Sequence, residues 1–445
     1  MIKNVVKKMS VPQIIVGGYS TLILLGTILL ALPISTVQGI WTPFFDAFFS
    51  STSAVTVTGV TIFETATYWS LFGQIVLLFL IEVGGLGFMS IWVLLYQNII
   101  GPPNLKSRLV MSESFDLSTR ENVTFRVWYI LKFSMVVQGM GLLLLSFAFV
   151  PEYGFIKGLY YSLFHSVSAF TNGGLDLFTN SLVDFQTNPY ILLVMMLLVI
   201  TGGLGFIVWD ELLDFPKKRT LSIYTKVVLT TTLALFAVGT FLFWLSERQT
   251  GTFDHLSYGE QFLNYLMLSV TVRSSGFTNI HFTHLSHSSL MLSLVLIFIG
   301  ASSGSTGGGI KVSTFAVVLI TIVRFFQGKK PTVFNRTLGE NTVRRAFIIL
   351  TVGIFFIILG TFALSLTETL YNNLGFEYLV TEVISALGAV GISLGMTPHL
   401  TLPGKMIIII LMLIGRVGIL TFLWSILGEK RESRINYPEI DLLVG

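Results

Sequence analysis

The stretch Ser53–Thr61 reads S-A-V-T-V-T-G-V-T, lies between two long apolar runs and carries no charge. Versions recur at Ser168–Asp176 (S-A-F-T-N-G-G-L-D), at Ser385–Ser393 (S-A-L-G-A-V-G-I-S) and, more loosely, at Thr271–Thr278 (T-V-R-S-S-G-F-T). Glycine permits backbone angles that other residues avoid. A segment of β-branched residues around a glycine can therefore aim consecutive carbonyls inward. Four such segments around an axis would make rings of oxygens that replace the water shell of a desolvated cation. A short helix before each would point its partly negative C-terminal end at the same place, favouring a cation over an anion. The candidate coordinating residues are Val57, Thr58, Gly59 and Val60; Asn172, Gly173, Gly174 and Leu175; Ser274, Ser275, Gly276 and Phe277; and Ala389, Val390, Gly391 and Ile392.

A second group of residues suggests control of passage. An apolar run from Leu290 to Arg324 is interrupted by Gly300, Ala301, Ser302, Ser303, Gly304, Ser305, Thr306, Gly307, Gly308 and Gly309. Glycine in a helix interior costs roughly 1 kcal/mol against alanine, so this stretch will not hold a stable helix. It is expected to be a mobile gate under the carbonyl ring, with close helix packing by small residues as the alternative. Arg416 lies inside the apolar run Met406–Leu427, where a charge costs ~3 kcal/mol or more unless it faces water or a partner. It is expected to line the path and cooperate with the gate; structural pairing with a Glu or with helix carbonyls is the alternative. Lys311 just after the glycine stretch is a similar candidate, or it snorkels inward. Arg273 beside the third loop reads as a hydrogen-bond donor supporting that loop, because a cation inside it would repel the substrate. Glu82 reads as a buried acid bonded to a neighbouring unit. His281, His284 and His287 repeat every three residues but have no second ligand cluster near them.

The elements that must hold these loops are apolar. The chain has 445 residues, 53% hydrophobic and 11% charged, against ~25% charged in a soluble domain, and its mean hydropathy is +0.80. Several runs exceed the ~18 apolar residues of a membrane span. There is no cysteine, which removes disulfides, thiolate metal sites and cysteine nucleophiles. No HExxH, no Walker-A sequence and no paired-acid constellation appears, so the chain is expected not to be an enzyme.

The same order repeats four times: span, short helix, loop, returning span. The spans are Ile14–Leu32, Trp128–Val150, Val227–Leu245 and Phe347–Leu366, and the short helices Trp41–Thr56, Ile156–Phe170, Tyr258–Val272 and Phe376–Leu387. The returns are Ser70–Tyr96, Tyr190–Trp209, the interrupted Leu290–Arg324, and Met406–Leu427. Gly59, Gly174, Gly276 and Gly391 are separated by 115, 102 and 115 residues, an internal repeat. The repeats cover 1–98 (loop 56–60), 125–210 (loop 171–175), 226–325 (loop 273–277, break 300–310) and 346–428 (loop 388–392), with a cytoplasmic tail over 429–445. Each holds two crossings, so all four point the same way. The expected fold is an all-α polytopic membrane protein with eight full crossings and four parallel pseudo-repeats around a central pore, built like a potassium channel. Of the 27 Lys and Arg residues, 20 lie at the termini and between repeats, and three (Lys157, Arg248, Lys405) in loops within repeats. By the positive-inside rule both termini are cytoplasmic.

The motifs L-P-I-S (Leu32–Ser35), T-V-T-G (Thr56–Gly59), G-G-L-G-F (Gly84–Phe88), S-A-F-T-N (Ser168–Asn172) and T-G-G-L-G-F (Thr201–Phe206) together resemble the Trk/Ktr/HKT superfamily of potassium transporters. So do G-F (Gly276–Phe277), G-I-K (Gly309–Lys311), T-P-x-L-T (Thr397–Thr401) and I-G-R-V-G-x-L-T-F (Ile414–Phe422), and the resemblance is strongest to the membrane subunit of bacterial Ktr systems. It implies K+ uptake through a filter built on the four glycines, with Na+ dependence possible, a gate in the glycine-rich break and a pore-lining Arg416. It also implies a homodimer at the cell membrane, seated on a cytoplasmic nucleotide-binding ring of Rossmann-like fold, with 429–445 at the dimer interface. Nucleotide would then bind only the partner; this chain itself would carry no cofactor, no transition metal and no nucleic acid. The loops N-G-G-L and R-S-S-G-F depart from the N-A-G-F and R-T-A-G-F common in bacterial relatives by exchanges of small residues. The competing expectation is an alternating-access carrier of another small cation or solute, which inverted repeats would favour.

Overall fold

The computed structural model describes residues 9–87, 123–248, 250–368 and 375–428. It is helical apart from one two-stranded hairpin, β1 (Thr332–Val333) against β2 (Arg336–Thr337). The principal helices are α1 (Val11–Ala31), α2 (Phe44–Val55), α3 (Leu71–Gly85), α4 (Val123–Tyr153), α5 (Phe155–Thr171), α6 (Pro189–Gly203), α7 (Phe206–Lys218) and α8 (Ile223–Glu247). They continue as α9 (Tyr258–Thr271), α10 (His287–Ile299), α11 (Val312–Phe326), α12 (Glu340–Thr367), α13 (Phe376–Gly388), α14 (Leu402–Val417) and α15 (Ile419–Leu427).

Among the described residues, four helices, α1, α4 from Trp128 onward, α8 and α12, are each long and apolar enough to cross a membrane. The helices that return after the candidate loops are shorter. α3 has 15 residues, α6 15, α10 13 and α14 16; at 1.5 Å per residue none reaches the ~30 Å of a bilayer core. Each return helix starts at a polar cap whose side chain accepts a backbone N–H: Ser70 from Gly73, Asn188 from Ile191, Ser286 from Ser289 and Thr401 from Gly404. Two of these caps are held in turn by a buried acid at the end of the preceding long helix. The Glu247 carboxylate accepts from the N–H (2.9 Å) and hydroxyl (2.7 Å) of Ser286. Glu368 accepts from the N–H (3.1 Å) and hydroxyl (2.5 Å) of Thr401.

The short helices and return helices interlock in a cycle. α3 packs on α5, α6 on α9, α10 on α13, and α14 on α2. Glycines allow the approach. A Cβ on Gly84 would overlap the carbonyl of Val55, one on Gly202 that of Phe170, and one on Gly415 that of Leu387. The last turns of α2, α5 and α13 thus lie against glycines of a return helix, as expected for close-packing positions.

Two expectations are corrected. The returns Tyr190–Trp209 and Met406–Leu427 read as continuous spans, but α6 and α7 meet at 101°, and α14 and α15 at 106°. The bends fall at Gly205 (φ 92°) and Gly418 (φ 95°), so these glycines make turns and not helix contacts. Gly87 takes φ 82° at the end of α3 in the same way; the rest of the return Ser70–Tyr96 lies outside the described residues, as does the tail 429–445. An L-residue at Gly418 would adopt a backbone state that costs ~1–3 kcal/mol while meeting little steric resistance. Gly418→Ala is therefore expected to lower thermal stability in detergent, measured by size-exclusion chromatography after heating, with the protein still folded at room temperature.

Candidate functional site

The four candidate loops leave the C-terminal ends of α2, α5, α9 and α13. Gly59, Gly174, Gly276 and Gly391 all take positive φ, at 80°, 66°, 70° and 93°. Three non-glycine residues join them: Val57 at 57°, Asn172 at 60° and Ala389 at 51°. In three loops two left-handed residues therefore flank one that is not left-handed, Thr58, Gly173 or Val390. Such alternation turns successive carbonyls to one side. A β-branched valine in this state is strained, and strain of this kind persists only where its surroundings enforce it.

The loops close on one another. A Cβ built on Gly59 would lie 2.7 Å from the carbonyl oxygen of Gly173, and one on Gly174 would lie 2.5 Å from that of Ser275. On Gly276 it would overlap the carbonyl of Val390, and on Gly391 the carbonyl of Thr58. Each glycine thus faces the carbonyl that precedes the glycine of the next loop, and the fourth returns to the first. The side chains that follow the glycines, Val60, Leu175, Phe277 and Ile392, are buried and pack into the surrounding protein. The ring is lined by backbone.

The glycine-rich break lies against the same ring. α10 ends at Ile299 and helix resumes at Val312, with Gly300, Gly304 and Gly309 at φ 57°, 66° and 75°. The stretch is tied down at both margins. Ser302 N–H donates to Gly203 O (3.1 Å), Thr306 N–H to Gly202 O (3.3 Å) and Ala301 N–H to Gly308 O (3.3 Å). Ser305 Oγ donates to Ser302 O at 2.6 Å, Ser303 Oγ meets Ser313 Oγ at 3.2 Å, and Lys311 Nζ donates to Gly307 O at 2.8 Å. Lys311 therefore turns back onto the stretch it follows.

Thr306 is the junction. Its hydroxyl accepts from Asn172 Nδ2 at 2.6 Å and donates to Phe170 O at 3.1 Å. Ser274 Oγ donates to Asn172 Oδ1 at 3.0 Å, which brings the third loop into the same network. The carbonyl of Thr306 accepts from Arg416 Nη1. Arg416 Nη2 donates to Gly84 O and, at 2.8 Å, to Gly85 O. Among the described residues Arg416 thus meets carbonyls and no acid, spanning from α14 to the end of α3 and the break. Below the ring a cavity of about 510 Å³ is bordered by Gly304, Gly307, Lys311, Gly415 and Arg416.

Other expected positions fall differently. Arg273 was read as a support for its own loop, but its Nη2 donates to Gly300 O at 3.1 Å and its guanidinium lies 4.7 Å from the Phe236 ring. It anchors the start of the break instead. Glu82 accepts from Gln138 of α4 at 2.8 Å. His281 and His284 stack edge-on at 5.6 Å and share a pocket with His255 and not with His287; no group of three potential ligands is gathered among the described residues. Sequence reasoning missed Asn172 as a link to Thr306 and the turns at Gly205 and Gly418. The recurring G-x-x-G at Gly84–Gly87, Gly202–Gly205 and Gly415–Gly418 was a usable signal for the turns.

Comparison with known proteins agrees with this architecture. The chain is 41% identical over its full length to the potassium/sodium uptake protein NtpJ of Enterococcus hirae, covering 99% of that protein. It is 37% identical over 98% of its length to the Ktr system potassium uptake protein B of Bacillus subtilis, covering 96% of it. The crystal structure of the potassium transporter TrkH from Vibrio parahaemolyticus superposes with a TM-score of 0.68 at 19% identity, over 92% of this chain and 84% of that one. The model of the TrkH cation transport protein family matches residues 27–427. The chain belongs to the TrkH family of cation transport proteins, multi-pass membrane proteins and not enzymes.

Proposed function

We propose that this chain is the ion-translocating subunit of a potassium uptake system, and that K+ passes through the ring of loop carbonyls. The observation that carries the reading is ring closure: Thr58, Gly173, Ser275 and Val390 each present a carbonyl to the glycine of a neighbouring loop. Oxygens from four backbones can replace a hydration shell, and no formal charge is needed. The names of the relatives, potassium uptake and potassium/sodium uptake, support K+ as substrate with Na+ as a possible second ion. In this reading the four helix–loop–helix units are parallel pseudo-repeats around one pore, with eight crossings completed by the bent and interrupted return helices. The distribution of basic residues supports cytoplasmic termini. The Ktr-system name of a relative supports a partner on that side, which we take to be a nucleotide-binding ring under a dimer of this chain.

The break Gly300–Gly309 is the proposed gate. It is held closed through Thr306, which joins the second loop, Arg416 and α6. Arg416 then acts as the latch of the gate as well as a positive charge beside the path.

Asp176, just past Gly174, adds an electrostatic element at the outer mouth. Burial pushes its carboxyl up to about 7, against hydrogen bonds from Ser181 and the Phe178 backbone, with Glu64 adding to the rise. Below that pH the acid is protonated and its attraction for incoming cations is lost; above it the charge is present.

Radiolabelled Rb+ uptake into liposomes holding the purified protein, with Na+ as competitor, tests the central reading. Uptake that Na+ barely inhibits is expected; absence of Rb+ uptake under every gradient and partner condition overturns it. Gly59→Ser is expected to make Na+ at least tenfold more effective as competitor, a change of about 1.4 kcal/mol. Arg416→Gln and Thr306→Val each remove a gate bond worth ~1–3 kcal/mol, and uptake about tenfold faster is expected in the same assay; unchanged uptake in folded variants removes these residues from gating. Uptake is also expected to fall severalfold as the outside pH drops from about 8 to about 6, and Asp176→Asn to flatten that profile.

A further inference from the structure

Behind three of the four loops stands a buried polar side chain from the short helix that precedes it, reaching forward to the segment that leaves the loop. On α5 it is His165, fully buried. Its Nδ1 lies 2.7 Å from Tyr161 O and its Nε2 3.3 Å from the N–H of Leu177. A carbonyl at Nδ1 requires the proton there, so Nε2 is the acceptor and holds the Leu177 amide. On α9 it is Asn264. Its amide donates to Gln186 O and Glu260 O, both at 2.9 Å, and its Oδ1 accepts from Asn279 Nδ2 at 2.9 Å. On α13 it is Glu382, also fully buried. Its carboxylate accepts from Ser393 Oγ and from Thr397 Oγ1, the latter at 2.9 Å to each oxygen.

His165 and Glu382 occupy the same place: 174−165 and 391−382 are both 9 residues. Asn264 stands 12 before Gly276, one helical turn farther back, and reaches through a second asparagine. At the offset of nine in the first loop stands Ser50, whose side chain is too short for such a reach. The residues held, Leu177, Asn279 and Ser393, lie two or three positions past their glycines. Each of these three loops is thus fixed at one end by its helix and at the other by a strut from that helix. The two ends determine the angle at which the intervening carbonyls face the axis.

We propose that His165, Asn264 and Glu382 are positioning residues that fix loop geometry tightly enough to discriminate between cations of different size, with Glu382 the dominant one. This rests on the reading of the ring as the K+ path. Glu382 outranks the others because one buried side chain accepts from two hydroxyls of the segment that leaves its loop. Its partners also bond each other, Thr397 Oγ1 to Ser393 Oγ at 3.1 Å, and both lie in the chain that follows the fourth loop. A softened loop contracts around the smaller Na+, whereas a rigid one cannot.

The test compares Glu382→Ala and Glu382→Gln with the wild type in Rb+ uptake, reading the Na+ concentration that halves it. Glu382→Ala is expected to lower that concentration about tenfold with uptake still measurable, a size set by loss of the buried hydrogen bonds to Ser393 and Thr397. Glu382→Gln keeps an acceptor oxygen of the same reach and is expected to stay within about threefold of the wild type. The double variant Ser393→Ala with Thr397→Val removes both hydroxyl donors and leaves Glu382 with the Thr397 backbone N–H; it is expected to lower that concentration at least threefold, in the direction of Glu382→Ala, and decides the matter if the alanine variant does not fold. His165→Ala and Asn264→Ala are expected to move the same way by less. Wild-type inhibition by Na+ in a transporting Glu382→Ala or double variant overturns the proposal. Equal loss in the alanine and glutamine variants also overturns it. A wild type that takes up Na+ as readily as Rb+ fails the functional reading instead, and the two failures are distinct.

Discussion

Everything in this molecule is arranged around one close approach, a glycine Cα in each loop against a backbone carbonyl of the next. No side chain fits there, since even a methyl group on Gly276 or Gly391 would overlap a carbonyl oxygen. Four chain segments far apart in sequence must therefore arrive at the axis with bare backbone, each bent through left-handed angles. That is an expensive assembly. Val57 and Ala389 hold conformations that L-residues avoid, and carbonyls in a ring repel one another until a cation sits among them. The rest of the structure supplies the constraint that keeps them there.

The supports have a common plan. The short helices that launch the loops are wedged between a long helix of their own unit and the return helix of a neighbour. Glycines at Gly84, Gly202 and Gly415 bring the return helices onto the last carbonyls of α2, α5 and α13. Because these return helices stop after 15 or 16 residues, they end level with the loops. Gly205 and Gly418 then turn the chain aside by about a right angle. The third unit uses the same level for something else: its return helix also stops, but the chain crosses beneath the ring as Gly300–Gly309 before helix resumes.

Much of this was legible in the sequence because it depends on local composition. The apolar runs, the four glycine-centred loops and the break at Gly300–Gly309 are visible as patterns along the chain, and the resemblance to the transporter superfamily extended them. Legibility failed where geometry depends on distant partners. G-G-L-G at Gly202–Gly205 looks the same whether its last glycine packs or turns; φ 92° at Gly205 is fixed by the Gly304 carbonyl that accepts from Phe206 N–H. The direction of Arg273 was misjudged for a similar reason. Its neighbours in sequence suggest the loop, while the carbonyl of Gly300 and the face of Phe236 draw it away. Asn172 illustrates the opposite gain: a residue chosen only for its place in a loop proves to be the side chain that meets the break.

Under the proposed function, the contrast between backbone and side chains separates what selects an ion from what controls its passage. The ring itself is backbone, so its chemistry is fixed by conformation and is indifferent to most side-chain changes nearby. What varies with sequence is how firmly that conformation is held and from which side. Thr306 holds the second loop from below, through Asn172, and is itself held by Arg416. His165 and Glu382 hold their loops from behind. The second loop thus bonds the break through Asn172, and the third through Arg273. The fourth loop lies at the other extreme. Its strut is a buried carboxylate bonded entirely within its own unit, and Gly391 N–H is further held by Ser385 Oγ at 3.1 Å. Yet Gly308 and Gly309 of the break lie directly against Gly388 and Ala389, so the fourth loop meets the break by packing where the second meets it by hydrogen bonds.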